Sequence, residues 1–498
     1  MFARSTNFFK HNYAPLLCIW LATIAVLAPF IPQHFSTDDW IRISDQRGYI
    51  VEALSQSRVA SAGFFWVLEY LQVNIVVNQT WFNLGAVTLF ASAICVLYAA
   101  LIKVLNQKNN LKLSQKLLIA LALVVLVFPF ASADLWQYGF VFFPFALAFL
   151  IGCIGIYFFI AVQQWWRWIV LVFCFGVAIA FYQPWITLLV LIGLVLTGCD
   201  AQKTLPVKLW QGFGLVAVSI GLMLLSVAWV KFGYPHFFPD GNHDPRVTGV
   251  VNIAKNARIV LGSLDEYYWA NLGSFVPGVW LSLLIASLTL LKNWYDRLWW
   301  VGICTVVSIF AYAPHIFSST VLMSPRSVAA VFASPIVAVL IYISSQKLQV
   351  WKNSIAFLIV GISLAMSLWT HTALATALLQ TNAADQLVAS TINAEITQYE
   401  LKTGAKIEIL YFGYDASSSP CYQDIGDCWY IRYFFVRQFA PGVSPSEILR
   451  RSAPHNMLYA WTLPDKKAEL FGANINYDRF VLSQQLRFEE NRAYLLIF

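Results

Sequence analysis

Charge is what this chain has least of. Asp, Glu, Lys and Arg make up 11% of its 498 residues, against roughly 25% in soluble domains. Hydrophobic residues reach 59% and mean hydropathy is +0.65. That shortage excludes an ordinary soluble domain and implies a polytopic α-helical membrane protein. Phosphate-binding loops are missing too: neither G-x-x-x-x-G-K-[ST] nor G-x-G-x-x-G occurs. No CxxC…CxxC zinc pattern occurs among the eight cysteines. Six of these lie in or beside apolar runs, where Cys acts as a small hydrophobe. Cys421 and Cys428 stand apart in a polar segment, and a short-loop disulfide is expected there if it faces an oxidising compartment. Internal repeats and low-complexity tracts are absent.

Runs of about 16 to 25 apolar residues can cross the hydrocarbon core. Eleven are read: approximately 14–31, 80–102, 117–132, 140–162, 168–182, 185–199, 210–232, 275–291, 298–314, 328–345 and 353–371. The first lacks a small-x-small cleavage site and is read as a span, not a removable signal. The fifth and sixth join through Tyr182-Gln183-Pro184-Trp185, a proline turn expected at the surface. Residues 62–77 are apolar but carry Glu69 and Gln72, and are read as interfacial or re-entrant.

The charges sort by side. With the N-terminus cytoplasmic, the inner gaps hold Arg4, Lys10, Lys103, Lys108, Lys112, Lys116, Arg167, Lys203, Lys208, Lys292, Arg297, Lys347 and Lys352, opposed only by Asp200 and Asp296. This is a positive-inside pattern. The formal charge of +7 is therefore a topology signal and no sign of nucleic-acid binding. The long loops, 32–79 and 233–274, then lie outside, and no cytoplasmic domain exists to hold a nucleotide. After Thr370 charge returns to a soluble balance, and residues 372–498 are read as a small outer α/β domain. Its expected elements are a helix over Ala383 to Lys402, a strand from Ile407, a short helix at Ser446 to Arg451 and a closing strand at Tyr494 to Phe498.

The chemistry-bearing stretch is Ser36-Thr37-Asp38-Asp39-Trp40-Ile41-Arg42, directly after the first span. Residues 38–58 interleave charges with apolar residues, the pattern of a helix lying along the interface. Two readings of Asp38 and Asp39 stay open together. They are acids in the first turn of a helix capped by Ser36 or Thr37, or one is a general base taking the proton of an acceptor hydroxyl. A lipid-phosphate leaving group needs a cation. The outer-face candidates are Arg326, Arg42, Lys231, Arg246, Arg258 and His315, with loop ion pairs or snorkelling as the plainer reading. Trp40, Arg47, Tyr49, Asp134 and Trp136 are candidates for the sugar, although an interfacial aromatic belt predicts the same aromatics. Asp240-Gly-Asn-His-Asp244 spaces oxygen ligands as a calcium loop does. It has Pro245 where the glycine belongs and Val251 where the glutamate belongs, so no metal site is assigned.

Paired acids after span one, surface helices in that loop, many spans and an outer C-terminal α/β domain resemble the GT-C class of polyprenyl-phosphate-sugar-dependent glycosyltransferases. Within it, Ser36-Thr-Asp-Asp-Trp-Ile-Arg followed by Arg47-Gly48-Tyr49 looks most like the bacterial O-antigen glucosyltransferases of the serotype-conversion type. The resemblance implies a bacterial inner-membrane enzyme with an undecaprenyl-phosphate-linked hexose donor, typically glucose, and a lipid-linked O-antigen or other surface glycan as acceptor on the periplasmic side. It implies Asp38 as the base with Asp39 beside it. The chemistry requires no cofactor, because Arg can hold a monophosphate leaving group, and a divalent cation is not indicated. Two rivals are an O-antigen polymerase or ligase, which would lean on outer-loop Arg and His, and a flippase. The latter is disfavoured by few mid-membrane charges and by the lack of an inverted repeat. The sequence says nothing about the oligomeric state.

Overall fold

The computed structural model describes residues 2–36, 39, 42, 46–105, 111–200, 203–239, 252–263, 275–316, 329–345, 349–414, 448–450, 457–460, 467–471 and 482–497. The described chain is mostly helical. Its longer helices are α1 (Phe2–Leu27), α2 (Gln46–Ser55), α3 (Val59–Tyr70), α4 (Gln79–Leu105), α5 (Leu113–Val127), α6 (Gly139–Ala161), α7 (Arg167–Phe181), α8 (Trp185–Cys199) and α9 (Leu205–Ala228). They continue with α10 (Ile253–Ser263), α11 (Phe275–Leu290), α12 (Trp294–Ile316), α13 (Ser334–Ser344) and α14 (Val350–Thr403).

Five helical stretches are long and apolar enough to cross a bilayer: Lys10–Phe30, Gln79–Leu105, Gly139–Ala161, Leu205–Phe237 and Val350–Thr403. A sixth follows if α5 and the 3-10 helix Phe130–Gln137, bent by 51°, count as one. This is compatible with a polytopic membrane protein. Length alone does not reach eleven spans. The α7 and α8 helices have 15 residues each, or about 22 Å at 1.5 Å per residue, against a core of about 30 Å. Residues 62–77 hold most of α3, a 12-residue helix, followed by turns.

The chain divides into two compact units. The first comprises Met1–Gln33, Arg47–Trp136 and Phe140–Thr372; the second comprises His34–Gln46, Gln137–Gly139 and Ala373–Phe498. In the first, apolar side chains on every face of α8 are buried, as expected of a central helix. Pro184 is its N-cap residue. At the Tyr182–Trp185 turn the two aromatic ends are buried, Tyr182 stacking on Phe145 with centroids 3.9 Å apart, while Gln183 and Pro184 are half-buried.

The second unit contains a four-stranded mixed sheet. Strands β1 (Ile409–Tyr414), β2 (Leu458–Ala460), β3 (Leu486–Glu489) and β4 (Arg492–Ile497) lie in the order β2-β1-β4-β3. β1 runs parallel to β2 and β4, and β3 pairs antiparallel with β4 through a two-residue turn. Leu410, Phe412, Leu495 and Leu496 are buried in it. Ala389, Ile392 and Ile396 of α14, three to four residues apart, form a buried stripe. The helix stops at Gly404, whose φ of +72° is the left-handed conformation that ends helices, and whose N–H donates to the Glu400 carbonyl at 2.9 Å. The expected strand at 407 and closing strand at 494 are β1 and β4. Of the expected helix at 446–451, Ile448–Arg450 is described and is helical.

Candidate functional site

The first loop of the second unit begins with a clasp. Asn382 of α14 accepts from the Phe35 N–H through Oδ1 at 2.6 Å and donates from Nδ2 to the Phe35 carbonyl at 2.9 Å. The side-chain amide pairs with the backbone as a neighbouring strand would, and the clasp is buried. It fixes the chain one residue before Ser36.

A capping box follows at once. Ser36 Oγ accepts from the Asp39 N–H at 3.3 Å, while Asp39 Oδ2 accepts from the Ser36 N–H at 2.7 Å. This is the reciprocal pairing of an N-cap serine with the acid three residues on. The Ser36 hydroxyl also donates to Asp39 Oδ2 at 2.7 Å, and the Gly139 N–H reaches the same oxygen at 3.3 Å. Asp39 is 0% exposed. Its carboxylate is thus bonded to two backbone N–H groups and a hydroxyl. Arg42, also helical and buried, lies three residues on and shares the helix face of Asp39. Asp38 and Trp40 lie outside the described residues.

In the first unit, the other candidates separate. Tyr49 is buried between Phe65 and Phe140, with centroids 4.5 and 4.9 Å away. Trp136 is 0% exposed, ringed by Phe90, Phe128, Phe142 and Trp185 at 5.2 to 6.2 Å. Both were expected at an outer rim; both are packing residues here, with no free ring face for a sugar. Arg47, Lys231 and Arg258 are exposed. Lys231 sits in a π-helical turn, Trp229–Gly233, whose Trp229 indole donates to the Leu54 carbonyl at 2.9 Å. The backbone at Asp134 and His315 is helical, but their side chains lie outside the described residues, as do Arg246, Arg326, Cys421 and Cys428. Among the described residues no group of three or more His, Cys, Asp or Glu could hold a metal ion.

The sequence reading missed His371. It is 0% exposed and has both ring nitrogens engaged. An indole N–H can only donate, so the 3.0 Å contact from Trp136 makes Nε2 the acceptor. The Nδ1 proton then points to the Ser367 carbonyl at 2.7 Å. The imidazole is therefore neutral and fixed in one tautomer. Thr370 and Ser367 turn their hydroxyls to the Phe130 and Phe128 carbonyls at 3.3 and 2.7 Å. Together these bonds tie the bend between α5 and the 3-10 helix to α14. The cluster is structural: it satisfies polar groups where the backbone is irregular.

Asn382 and Asp385 were missed as well. Both are buried on α14, three residues apart. The signal was available: an Asn and an Asp on the buried side of a helix otherwise lined by Ala, Leu and Ile.

No family model, curated protein or solved structure matches the chain.

Proposed function

We propose that the protein is an inverting membrane glycosyltransferase of GT-C type, moving a hexose from a polyprenyl-phosphate donor to a glycan hydroxyl. One observation carries this reading: of the two adjacent acids after the first span, Asp39 is buried and consumed by the capping box with Ser36. That leaves Asp38 as the general base. It takes the acceptor hydroxyl proton while that oxygen attacks the anomeric carbon from the face opposite the phosphate. Asp39 is then a positioning residue that fixes the backbone one peptide away. Arg42, on the same helix face as Asp39, is the cation best supported for the departing phosphate. Lys231 and Arg258 are exposed alternatives, and Arg246, Arg326 and His315 are candidates by sequence position alone. The active face is periplasmic, as the lysine-poor loops suggest, in a bacterial inner membrane. The acceptor is a lipid-linked O-antigen or a related surface glycan.

The test is Asp38→Asn in membranes supplied with labelled polyprenyl-phosphate glucose and acceptor. Transfer is expected to fall by about 10²–10⁴-fold, the usual worth of a general base, with unchanged protein levels. Undiminished transfer would sink the base assignment. Consumption of a diphosphate-linked oligosaccharide instead of the monophosphate donor would point to a polymerase or ligase.

A further inference from the structure

A groove of about 490 Å³ runs between α9 and α12, within the range of about 300–1,000 Å³ typical of small-ligand sites. Its walls include Leu209, Phe213 and Val216 from α9 and Leu298, Gly302 and Val306 from α12. Leu209, Phe213 and Leu298 are each more than half exposed. A Cβ built on Gly302 would meet nothing within 4 Å, so the groove is open at that point. These side chains offer an occupant almost nothing but apolar surface.

One end differs in charge. The starts of α9, α12 and α14 carry Lys203, Lys208, Lys292, Arg297 and Lys352 against Asp200 and Asp296. Three of the bases sit on the carbonyls that close neighbouring helices. Lys208 donates to Gly198 at 2.8 Å, Arg297 to Leu291 at 2.6 Å and Lys352 to Leu290 at 3.2 Å. Lys203 pairs with Asp200 at 2.9 Å. Five described bases stand against two acids, so this end is positive, and Lys292 and Arg297 are exposed.

We propose that this groove is a lipid site: it takes one acyl chain of an anionic phospholipid, whose phosphate lies at the lysine-rich end. An apolar wall with open volume suits hydrocarbon. A charge excess flanking it selects an anionic headgroup over a zwitterionic one. This lipid site is independent of the transfer reaction: among the described residues, none of the first loop lines it.

The experiment is native mass spectrometry on the full chain in detergent, stripped of lipid and titrated separately with phosphatidylglycerol and phosphatidylcholine. Wild-type protein is expected to retain phosphatidylglycerol preferentially. Gly302→Leu adds apolar bulk where a Cβ meets open space and is expected to weaken that retention about tenfold, a change of about 1.4 kcal/mol. Lys292→Gln with Arg297→Gln is expected to erase the headgroup preference while leaving phosphatidylcholine retention unchanged. Circular dichroism and gel filtration check folding, and the charge variant tests the proposal even if the glycine variant folds poorly. Equal retention of both lipids by wild type would overturn it. So would unchanged phosphatidylglycerol retention in Gly302→Leu, or a dimer mass that this substitution dissolves, because the occupant would then be a second copy of the chain.

Discussion

Removing the Asp39 side chain separates stability from chemistry. Asp39→Ala deletes the acceptor for the Ser36 N–H, the Ser36 hydroxyl and the Gly139 N–H. Loss of a capping contact costs about 0.5–2 kcal/mol. Each buried N–H left without an acceptor adds about 1–3 kcal/mol. Ser36 and Gly139 are both buried, but relaxation will admit some water. A net loss of about 2–4 kcal/mol follows, or of order 10 °C in Tm for a unit of this size. Asp39→Asn keeps an acceptor oxygen and should lose about half as much. Because Ser36 and Asp39 bond reciprocally, the double variant Ser36→Ala with Asp39→Ala should cost less than the sum of the two singles, by about 1 kcal/mol. The assay is thermal melting of purified protein in detergent, beside sugar transfer at a temperature where each variant remains folded. Asp38→Asn should show the opposite profile, with unchanged melting and lost transfer. An Asp39→Ala protein that melts like wild type and transfers nothing would refute the division of labour, making Asp39 the chemical acid.

Three further predictions follow from buried contacts. Asn382→Ala removes both hydrogen bonds to Phe35 and should destabilise by about 1–3 kcal/mol, whereas Asn382→Asp, able to accept but not donate, should also free the Phe35 carbonyl; protease nicking within the first loop reports the released segment. His371→Ala opens a cavity and strands the Trp136 indole N–H, costing about 2–5 kcal/mol, and Trp136→Phe should recover part of that loss in the double variant when melting curves are compared. Gly198→Ala would drive a Cβ into the Trp299 indole, so overpacking should cost about 1–3 kcal/mol, read as a lower Tm that Trp299→Leu restores.

Much of the architecture was legible in hydropathy, because burying apolar side chains imposes long runs. The α/β character of the C-terminal part was legible too, since strands at Ile409 and Arg492 alternate or concentrate β-branched and aromatic residues. What hydropathy did not show was the continuity of a helix through a composition change. Charge rises after Thr370, and one compact unit ends at Thr372, yet α14 runs on from Val350 to Thr403. The shift in polarity marks a change of surroundings. Helix continuity depends on breakers, and between Val350 and Thr403 there is no proline and one glycine, Gly361. Trp136 failed for a related reason. A Trp in a short polar loop between apolar runs reads as an interfacial residue, but its partner His371 lies 235 positions away, beyond any local pattern.

The acid doublet illustrates how a structural and a functional reading can hold at once. A capping box needs only one acid, at the third helical position, and Asp39 occupies it. A catalytic carboxylate needs a backbone that does not drift, since misplacement by about 1 Å can cost 10²-fold in rate. In the proposed reaction the residue before a capped, buried acid is the one suited to that need, because a capping box does not require its side chain. Adjacent acids are therefore not redundant. Ser36, Asp39 and the Asn382 clasp hold the turn, and under the proposed transfer reaction the division of labour gives Asp39 the structural part and Asp38 the chemical one.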